Sequence, residues 1–238
     1  MDAIQIRGLT KQYRDVTAVD GLELTIRQGE LFALLGVNGA GKTTTIKMLS
    51  CLVQPTAGEA FLEGFSVTKD SAKVRSLLAV SPQESAVAPN LTVEENLRLM
   101  CGVHGLSGTR VAEVMSEFGL TEVRRKRAGK LSGGWQRRLS IAMALISQPK
   151  ILFLDEPTLG LDVLARAELW DRIRELKGKI TVILTTHYME EAEQLADRIG
   201  IMRNGKLLRV GTAKELMQLT DTLRLEDAFV RLVKEAER

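Results

Sequence analysis

One stretch restricts the possible folds of this chain more than any other. An apolar run at residues 31–35 is followed at once by the glycine-rich sequence GVNGAGKTT at residues 36–44. The run is typical of a buried strand, and the glycines let the backbone turn sharply and aim several N–H groups into one concavity. A helix that begins near Lys42 adds the positive end of its dipole. The spacing G-x-x-x-x-G-K-T predicts a phosphate loop in which Lys42 reaches terminal phosphates and Thr43 ligates a bridging magnesium ion; the alternative is a glycine-rich turn.

Composition sets broad limits on the class of protein. The chain has 238 residues, of which 45% are hydrophobic and 26% charged, which fits one large domain with a sizeable core. The net charge of +3 gives no global field that would mark a nucleic-acid binder, and no nucleic-acid partner is expected. Cys51 and Cys101 lack metal-ligand spacing and fit a reducing compartment. Apolar runs stay far below the ~18 residues of a membrane helix, so any membrane role requires a partner.

Hydrophobic patterns divide the first two thirds of the chain into two lobes. Ile4 and Ile6 alternate with polar residues, as do the apolar positions between 22 and 26, and this predicts a small antiparallel β lobe with turns at Asp20-Gly21 and at residues 28–29. From about residue 84 to residue 149, apolar residues recur at helical spacing. The pattern therefore predicts an inserted α-helical lobe.

The pattern of the last third of the chain predicts the remainder of an α/β fold. Apolar runs at residues 151–154 and 179–185 are typical of central parallel strands, and an amphipathic helix lies between them at about 164–176. The dipeptide Asn204-Gly205 predicts a β-hairpin, and about two helices follow Gly211. These elements predict a mixed central sheet flanked by the antiparallel β lobe and the helical lobe.

Two further constellations carry chemistry. Asp155 directly follows an apolar strand, where it can hold magnesium through water, and Glu156 is then placed to polarise an attacking water. The sequence LSGGWQ at residues 131–136 opens an apolar helix, with Ser132 as its N-cap and backbone N–H groups exposed by the two glycines. It forms a second phosphate cradle, unless it is only a capped helix. Two chains facing head to tail would then bury two nucleotides.

The order and spacing of these elements resemble the ATP-binding subunits of ATP-binding-cassette (ABC) transporters over about residues 4–212. The resemblance implies a P-loop NTPase of the ABC ATPase type, with an ATPase domain at 1–212, its helical lobe at about 84–149, and a C-terminal helical tail at 213–238. The Walker A loop of that family matches Gly36, Asn38, Gly39, Ala40, Gly41, Lys42, Thr43 and Thr44. The family signature matches Ser132, Gly133 and Gly134.

The resemblance also implies roles for single residues. Glu156 is the expected catalytic carboxylate, and His187 occupies the place of the histidine that senses the γ-phosphate. Gln83 matches the glutamine that touches magnesium and couples to membrane subunits, together with Thr43 and Asp155 at the metal. Tyr13 matches the aromatic residue that stacks on adenine, and Asp162 belongs to the loop that crosses to a partner subunit. Trp135 departs from the family, which usually has glutamine there, and its side chain cannot accept a hydrogen bond.

The implied function is ATP hydrolysis, with ATP and Mg²⁺ as cofactors, that powers export through a separate transmembrane permease. Residues 38–45, residues 156–162 and the tail at 225–229 resemble the ATPase subunits of bacterial ABC-2-type exporters. A second ATPase subunit, either another copy or a sister chain, would complete a dimer on the cytoplasmic face of the membrane. An amphipathic helix that buries Leu225, Phe229 and Leu232 is the alternative for the tail. A soluble ABC ATPase of translation, DNA repair or cofactor assembly remains the alternative function, whereas a P-loop kinase or GTPase leaves residues 132–134 and His187 unexplained.

Overall fold

A mostly parallel six-stranded sheet lies at the centre of the computed structural model, which describes residues 1–236. The strands in chain order are β1 (Asp2–Tyr13), β2 (Val16–Arg27), β3 (Leu31–Leu35), β4 (Ala57–Leu62), β5 (Phe65–Ser66), β6 (Leu78–Ser81), β7 (Ile151–Asp155), β8 (Thr181–Thr186), β9 (Arg198–Arg203) and β10 (Lys206–Gly211). The α-helices are α1 (Lys42–Leu49), α2 (Ser71–Leu77), α3 (Val93–Val103), α4 (Thr109–Glu117), α5 (Gly133–Leu145), α6 (Val163–Arg174), α7 (Met189–Leu195), α8 (Ala213–Leu219) and α9 (Leu225–Ala236).

The two sheets confirm the predicted α/β architecture. The central sheet has the order β10-β9-β3-β8-β7-β6, in which only β10 pairs antiparallel to its neighbour. The second sheet has the order β2-β1-β4-β5 and is antiparallel throughout, as the alternating pattern of its sequence predicted. In the central sheet β3 therefore lies between β8 and β9, with β7 and β6 on the far side of β8.

Central strands are buried on both faces, which explains their continuous apolar runs. Along β3, Leu31, Ala33 and Leu35 face an apolar layer that includes the helical lobe, α6 and α7, whereas Phe32 and Leu34 face the antiparallel sheet and α1. The same alternation holds along β7. The sheet is thus held between two apolar layers, which fixes the positions of its strand ends.

Two predicted turns had different outcomes. Asn204 and Gly205 join β9 to β10 with φ angles of 47° and 79°, as a two-residue hairpin turn requires, so this prediction is confirmed. Asp20-Gly21 was wrong as a turn between strands, because β2 continues through it. The pairing of β1 with β2 shifts register between Leu9 and Lys11, and Gly21 takes a φ of 56° opposite this irregularity. A β-bulge therefore uses the glycine that the sequence suggested for a turn.

The helical lobe and the tail complete the molecule. The lobe contains α3, α4 and α5, with short 3₁₀ turns at Thr121–Val123 and Ala128–Lys130. In the tail, Leu225, Phe229 and Leu232 of α9 are buried in the same apolar layer as the lobe. Positions 237 and 238 of the predicted tail lie outside the described residues. Among residues 1–236, no helix combines the length and apolar character needed to cross a bilayer.

Candidate active site

Four neighbouring strands of the central sheet end at the same edge, and the predicted site residues follow these ends. The phosphate loop follows β3, His187 follows β8, Asp155 ends β7, and Gln83 comes two residues after β6. The register places Leu35 beside Thr186 and Asp155 beside Thr185. Because the strands are parallel, their carboxyl ends line one crevice, which is where ligands bind in open α/β sheets.

The phosphate loop surrounds a cleft of about 410 Å³. Its lining includes, besides Ala18, the predicted residues Asn38, Gly39, Ala40, Gly41, Lys42, Thr43, Thr44, Gln83 and Glu156. Gly41 has a φ of 103°, and a Cβ there would lie 2.4 Å from the carbonyl oxygen of Ala18. A Cβ at Gly36 would lie 2.4 Å from the carbonyl oxygen of Met202. Both glycines are therefore required by the close packing of the loop, which fits a cradle formed by backbone N–H groups.

Lys42 lies at the start of α1 with its side chain only 5% exposed. Its ammonium group donates to the carbonyl oxygens of Gly36 at 2.7 Å and Val37 at 3.2 Å, and it lies 3.2 Å from Oε1 of Glu156. Two carbonyl oxygens and one carboxylate thus hold the ammonium over the loop. A phosphate entering the cleft would meet a preformed positive charge together with the N-terminal end of α1.

Asp155 brings together two hydroxyl groups. Its Oδ1 accepts hydrogen bonds from Thr43 Oγ1 at 3.2 Å and from Thr185 Oγ1 at 2.5 Å. No cluster of three or more His, Cys, Asp or Glu side chains suited to a metal occurs within the described part of the chain. The donor set of one hydroxyl and one carboxylate fits a Mg²⁺ ion that takes its remaining ligands from water and substrate phosphates, as Mg²⁺ commonly does. Sequence reasoning missed Thr185, since a threonine within a buried strand carries no motif of its own.

Glu156 sits in a strained turn directly after β7. Its φ of 49° is in the left-handed region, which non-glycine residues adopt rarely and at functional sites more often than elsewhere. The carboxylate is 7% exposed, and Oε2 lies 2.5 Å from Nδ1 of His187. Glu156 therefore joins Lys42 on one side to His187 on the other, at the edge of the cleft.

Several predicted residues lie away from this cleft in the single chain. Tyr13, at the exposed end of β1, is 42% exposed and lies under the ammonium of Lys11 at 5.0 Å. Ser132 is the N-cap residue of α5 without a side-chain capping bond, and Gly133 is exposed beside it while Gly134 is buried. Asp162 caps α6 by accepting a hydrogen bond from the Ala165 amide at 2.9 Å. These residues do not line the cleft formed by the described residues of this chain.

The site also rests on a buried acid that the sequence did not reveal. Glu191 on α7 is fully buried, and its Oε1 accepts hydrogen bonds from Thr158 Oγ1 at 2.8 Å and Trp170 Nε1 at 3.1 Å. Burial raises the pKa of the Glu191 carboxyl above its usual range, despite these hydrogen bonds. The helix that follows His187 is thereby joined to the loop that follows Glu156. A glutamate on an amphipathic helix is usually exposed, so only the fold reveals this contact.

Comparisons with known proteins agree with this geometry. Residues 19–159 match the family described as ABC transporter. The chain is 42% identical over 229 residues to the daunorubicin resistance ATP-binding protein DrrA3 of Streptomyces coeruleorubidus, covering 94% of this chain and 72% of the relative. It is 41% identical to the linearmycin resistance ATP-binding protein LnrL of Bacillus subtilis strain 168, covering 90% and 70%.

Solved structures give the same result. The fold is similar to an ATP-binding subunit of an ABC transporter, with a TM-score of 0.85 and 29% identity over 97% of this chain and 99% of that one. It is also similar to the dimeric post-hydrolysis state of the ATP-binding cassette MJ0796 bound to ADP and Pi, with a TM-score of 0.78 and 25% identity over 88% and 98%. The expected fold class is therefore confirmed.

Proposed function

The chain belongs to the ABC transporter family as an ATP-binding ATPase, and from this we propose that it powers export of a substrate through a separate transmembrane subunit. One observation carries the proposal: the phosphate loop, the Thr43–Asp155 pair and the Glu156–His187 pair meet at adjacent strand ends. The drug-resistance relatives support export, and their names suggest an antibiotic as the substrate class. The chain would act at the cytoplasmic face of the membrane.

Each residue near the cleft has a proposed task in hydrolysis. Lys42 and the loop amides bind the β- and γ-phosphates of ATP, and Tyr13 stacks on adenine once the nucleotide extends out of the cleft. Thr43, Asp155 and Gln83 would hold Mg²⁺, which neutralises charge on the phosphates. Glu156 orients or deprotonates the attacking water, and His187 holds this carboxylate and the γ-phosphate in place. The 2.5 Å contact between His187 and Glu156 supports this pairing.

A second ATPase chain completes the proposed site. Ser132 and Gly133 are exposed and lie outside the cleft of their own chain. Because the first N–H groups of a helix have no intrahelical acceptor, those at the start of α5 could bind a nucleotide held by a partner. Apolar residues around Asp162 are also exposed, with Leu159 at 41% and Val163 at 71%. Exposed apolar side chains beside a capped helix fit an interface that forms with ATP. A dimer of two copies is the simplest arrangement, and a sister chain is the alternative.

The transmembrane subunit would dock in a groove between the central sheet and the helical lobe. This groove, of about 330 Å³, is mainly apolar and is lined by Leu52, Leu78, Met100, Met143 and neighbouring residues. Leu52 at its rim is 68% exposed. A short amphipathic helix of a permease fits such a groove, since its apolar face would bury Leu52 and Met100. The groove lies between β6, which leads to Gln83, and α3, so a docked helix would touch both.

A pull-down with Glu156→Gln protein tests this function. Tagged protein is incubated with Mg-ATP and detergent-solubilised membranes of its source, and the bound chains are identified. Recovery of a polytopic membrane protein is expected. It should be lost with Leu52→Glu and retained with Leu223→Glu, which changes an exposed leucine outside the lining of the groove. Recovery of only ribosomes, DNA-repair factors or assembly proteins would contradict the transport function.

A further inference from the structure

A buried arginine links the two chain segments that carry Gln83 and Glu156. Arg137 lies on α5, one turn after the signature glycines, and is 4% exposed. Its Nε donates to the carbonyl oxygen of Pro157 at 2.8 Å. Its Nη1 donates to the carbonyl oxygen of Pro82 and to that of Gln83, the latter at 3.1 Å. Its Nη2 donates to the carbonyl oxygens of Asp155 at 2.7 Å and Glu156 at 2.9 Å. A guanidinium has five N–H donors, so the whole group is used on backbone carbonyls.

This environment is unusual for a buried cation. Buried arginines normally contact a carboxylate directly, but no ion pair of Arg137 occurs among the described residues. Burial lowers the pKa of Arg137 to about 10, so the guanidinium remains charged at neutral pH. The cation is therefore held by carbonyl dipoles, with the charges of Asp155, Glu191 and Glu156 nearby. An apolar side chain could fill the same volume but would leave these five carbonyls without the N–H donors that hold them.

Two of the carbonyls that Arg137 binds belong to residues that line the nucleotide cleft. Gln83 and Glu156 each give a backbone carbonyl to Arg137 and a side chain to the lining of the cleft. Glu156 has a left-handed backbone, which is strained for a non-glycine residue. Arg137 binds the carbonyls before, at and after this strained residue. It therefore opposes relaxation of the turn, which would move the carboxylate away from Lys42 and His187.

We propose that Arg137 is a positioning residue for ATP hydrolysis, which fixes the Glu156 carboxylate in position relative to the Gln83 segment. The inference rests on the proposed function, since it assumes the roles of Glu156 and Gln83 given there. Arg137 itself does not line the cleft. Because α5 begins with the residues that would meet the partner's nucleotide, the same side chain also ties that helix end to the hydrolytic turn. One guanidinium thus links three segments that must be aligned at the moment of hydrolysis.

Steady-state kinetics of Arg137→Gln, with Arg138→Gln as matched control, test the proposal. Arg138 is the next residue of the same helix and is also buried, but its guanidinium contacts Glu168 and the ring of Trp135 instead of the five carbonyls. We expect Arg137→Gln to lower kcat by about 10- to 100-fold, since a displacement of about 1 Å at a catalytic group has an effect of this order. Its KM and its Kd for ATP should stay within about threefold of wild type. Arg138→Gln should keep kcat within about threefold, and Arg137→Lys should be intermediate.

Double variants separate positioning from a general loss of structure. If Arg137 acts through the Gln83 segment, the kcat losses of Arg137→Gln and Gln83→Ala should be less than multiplicative in the double variant. Any of three results would overturn the proposal: wild-type kcat in Arg137→Gln, an equal loss of kcat in Arg138→Gln, or fully multiplicative kcat losses in the double variant. If circular dichroism shows Arg137→Gln to be unfolded, Arg137→Lys carries the same test, and wild-type kcat there overturns the proposal. An inactive wild-type chain would instead contradict the proposed function itself.

Discussion

Replacing Glu156 by glutamine should separate ATP binding from ATP hydrolysis. The carboxylate contacts two groups of the cleft, with Oε1 3.2 Å from Lys42 Nζ and Oε2 2.5 Å from His187 Nδ1. Glutamine has almost the same shape, so the turn held by Arg137 should persist. The change therefore removes one negative charge and one proton acceptor. Its effects on kcat and on ATP affinity are expected to have opposite signs.

The magnitudes follow from these contacts. Loss of a positioned general base typically lowers kcat by about 10²- to 10⁴-fold. The γ-phosphate of ATP must compete with Glu156 for the ammonium of Lys42. A neutral glutamine competes less well, because a hydrogen bond to a charged acceptor is stronger than one to a neutral amide by about 1 kcal/mol. Lys42 keeps its bonds to the carbonyls of Gly36 and Val37 in the variant. We therefore expect Glu156→Gln to bind ATP about fivefold more tightly, because about 1 kcal/mol corresponds to this ratio.

Phosphate release at saturating Mg-ATP measures kcat, and isothermal titration calorimetry at low temperature measures the Kd for ATP. Glu190→Gln is the matched control, because this glutamate is 67% exposed, lies on α7 and pairs with Arg166 instead of lining the cleft. It should leave both quantities within about twofold, as is usual for a surface change. More than a tenth of wild-type kcat in Glu156→Gln would remove this residue from the mechanism. Weaker ATP binding would refute the argument about competition for Lys42.

Three other changes test separate parts of the structure. Burial raises the pKa of Glu191, so the folded chain holds this proton more tightly than the unfolded chain, and the free energy of unfolding falls as pH rises above about 4.5. In urea unfolding, Glu191→Gln should therefore gain stability relative to wild type as pH rises from that value, and parallel pH curves would contradict this. Asp162→Ala removes the cap of α6 and should lower the free energy of unfolding by about 0.5–2 kcal/mol, whereas no change would show that the capping bond contributes little. Trp135→Gln removes the stacking of the Arg138 guanidinium over the Trp135 ring at 4.5 Å, and it should lower the free energy of unfolding by about 0.5–1 kcal/mol in thermal unfolding. The Kd of the single chain for ATP should not change, and weaker ATP binding would place Trp135 at the nucleotide bound by its own chain.

The sequence was informative wherever function depends on the end of a strand. Asp155 could be placed beside the phosphate loop because it follows an apolar run and the carboxyl ends of parallel strands meet at one edge. Gln83 and His187 were assigned by the family resemblance, and the structure brings the strands before them to the same edge. The phosphate loop carries its own pattern, since Gly36 and Gly41 are fixed by close backbone contacts. Local signals of this kind need no knowledge of distant contacts. The hairpin at Asn204-Gly205 was predictable for the same reason, whereas Asp20-Gly21 has the same local character and lies in a bulge.

The contacts that align the site could not be read from sequence, and the reason is physical. Arg137 binds backbone carbonyls, which every residue possesses, so its partners in two distant segments leave no mark on composition or spacing. Its neighbour Arg138 looks identical in the sequence yet points to α6, because successive residues of a helix face different directions. Glu191 similarly has an exposed neighbour, Glu190, of the same chemical type. Motifs therefore identify the groups that touch a nucleotide. The groups that fix those side chains in position are identified only from the folded structure, in which the distant segments are in contact.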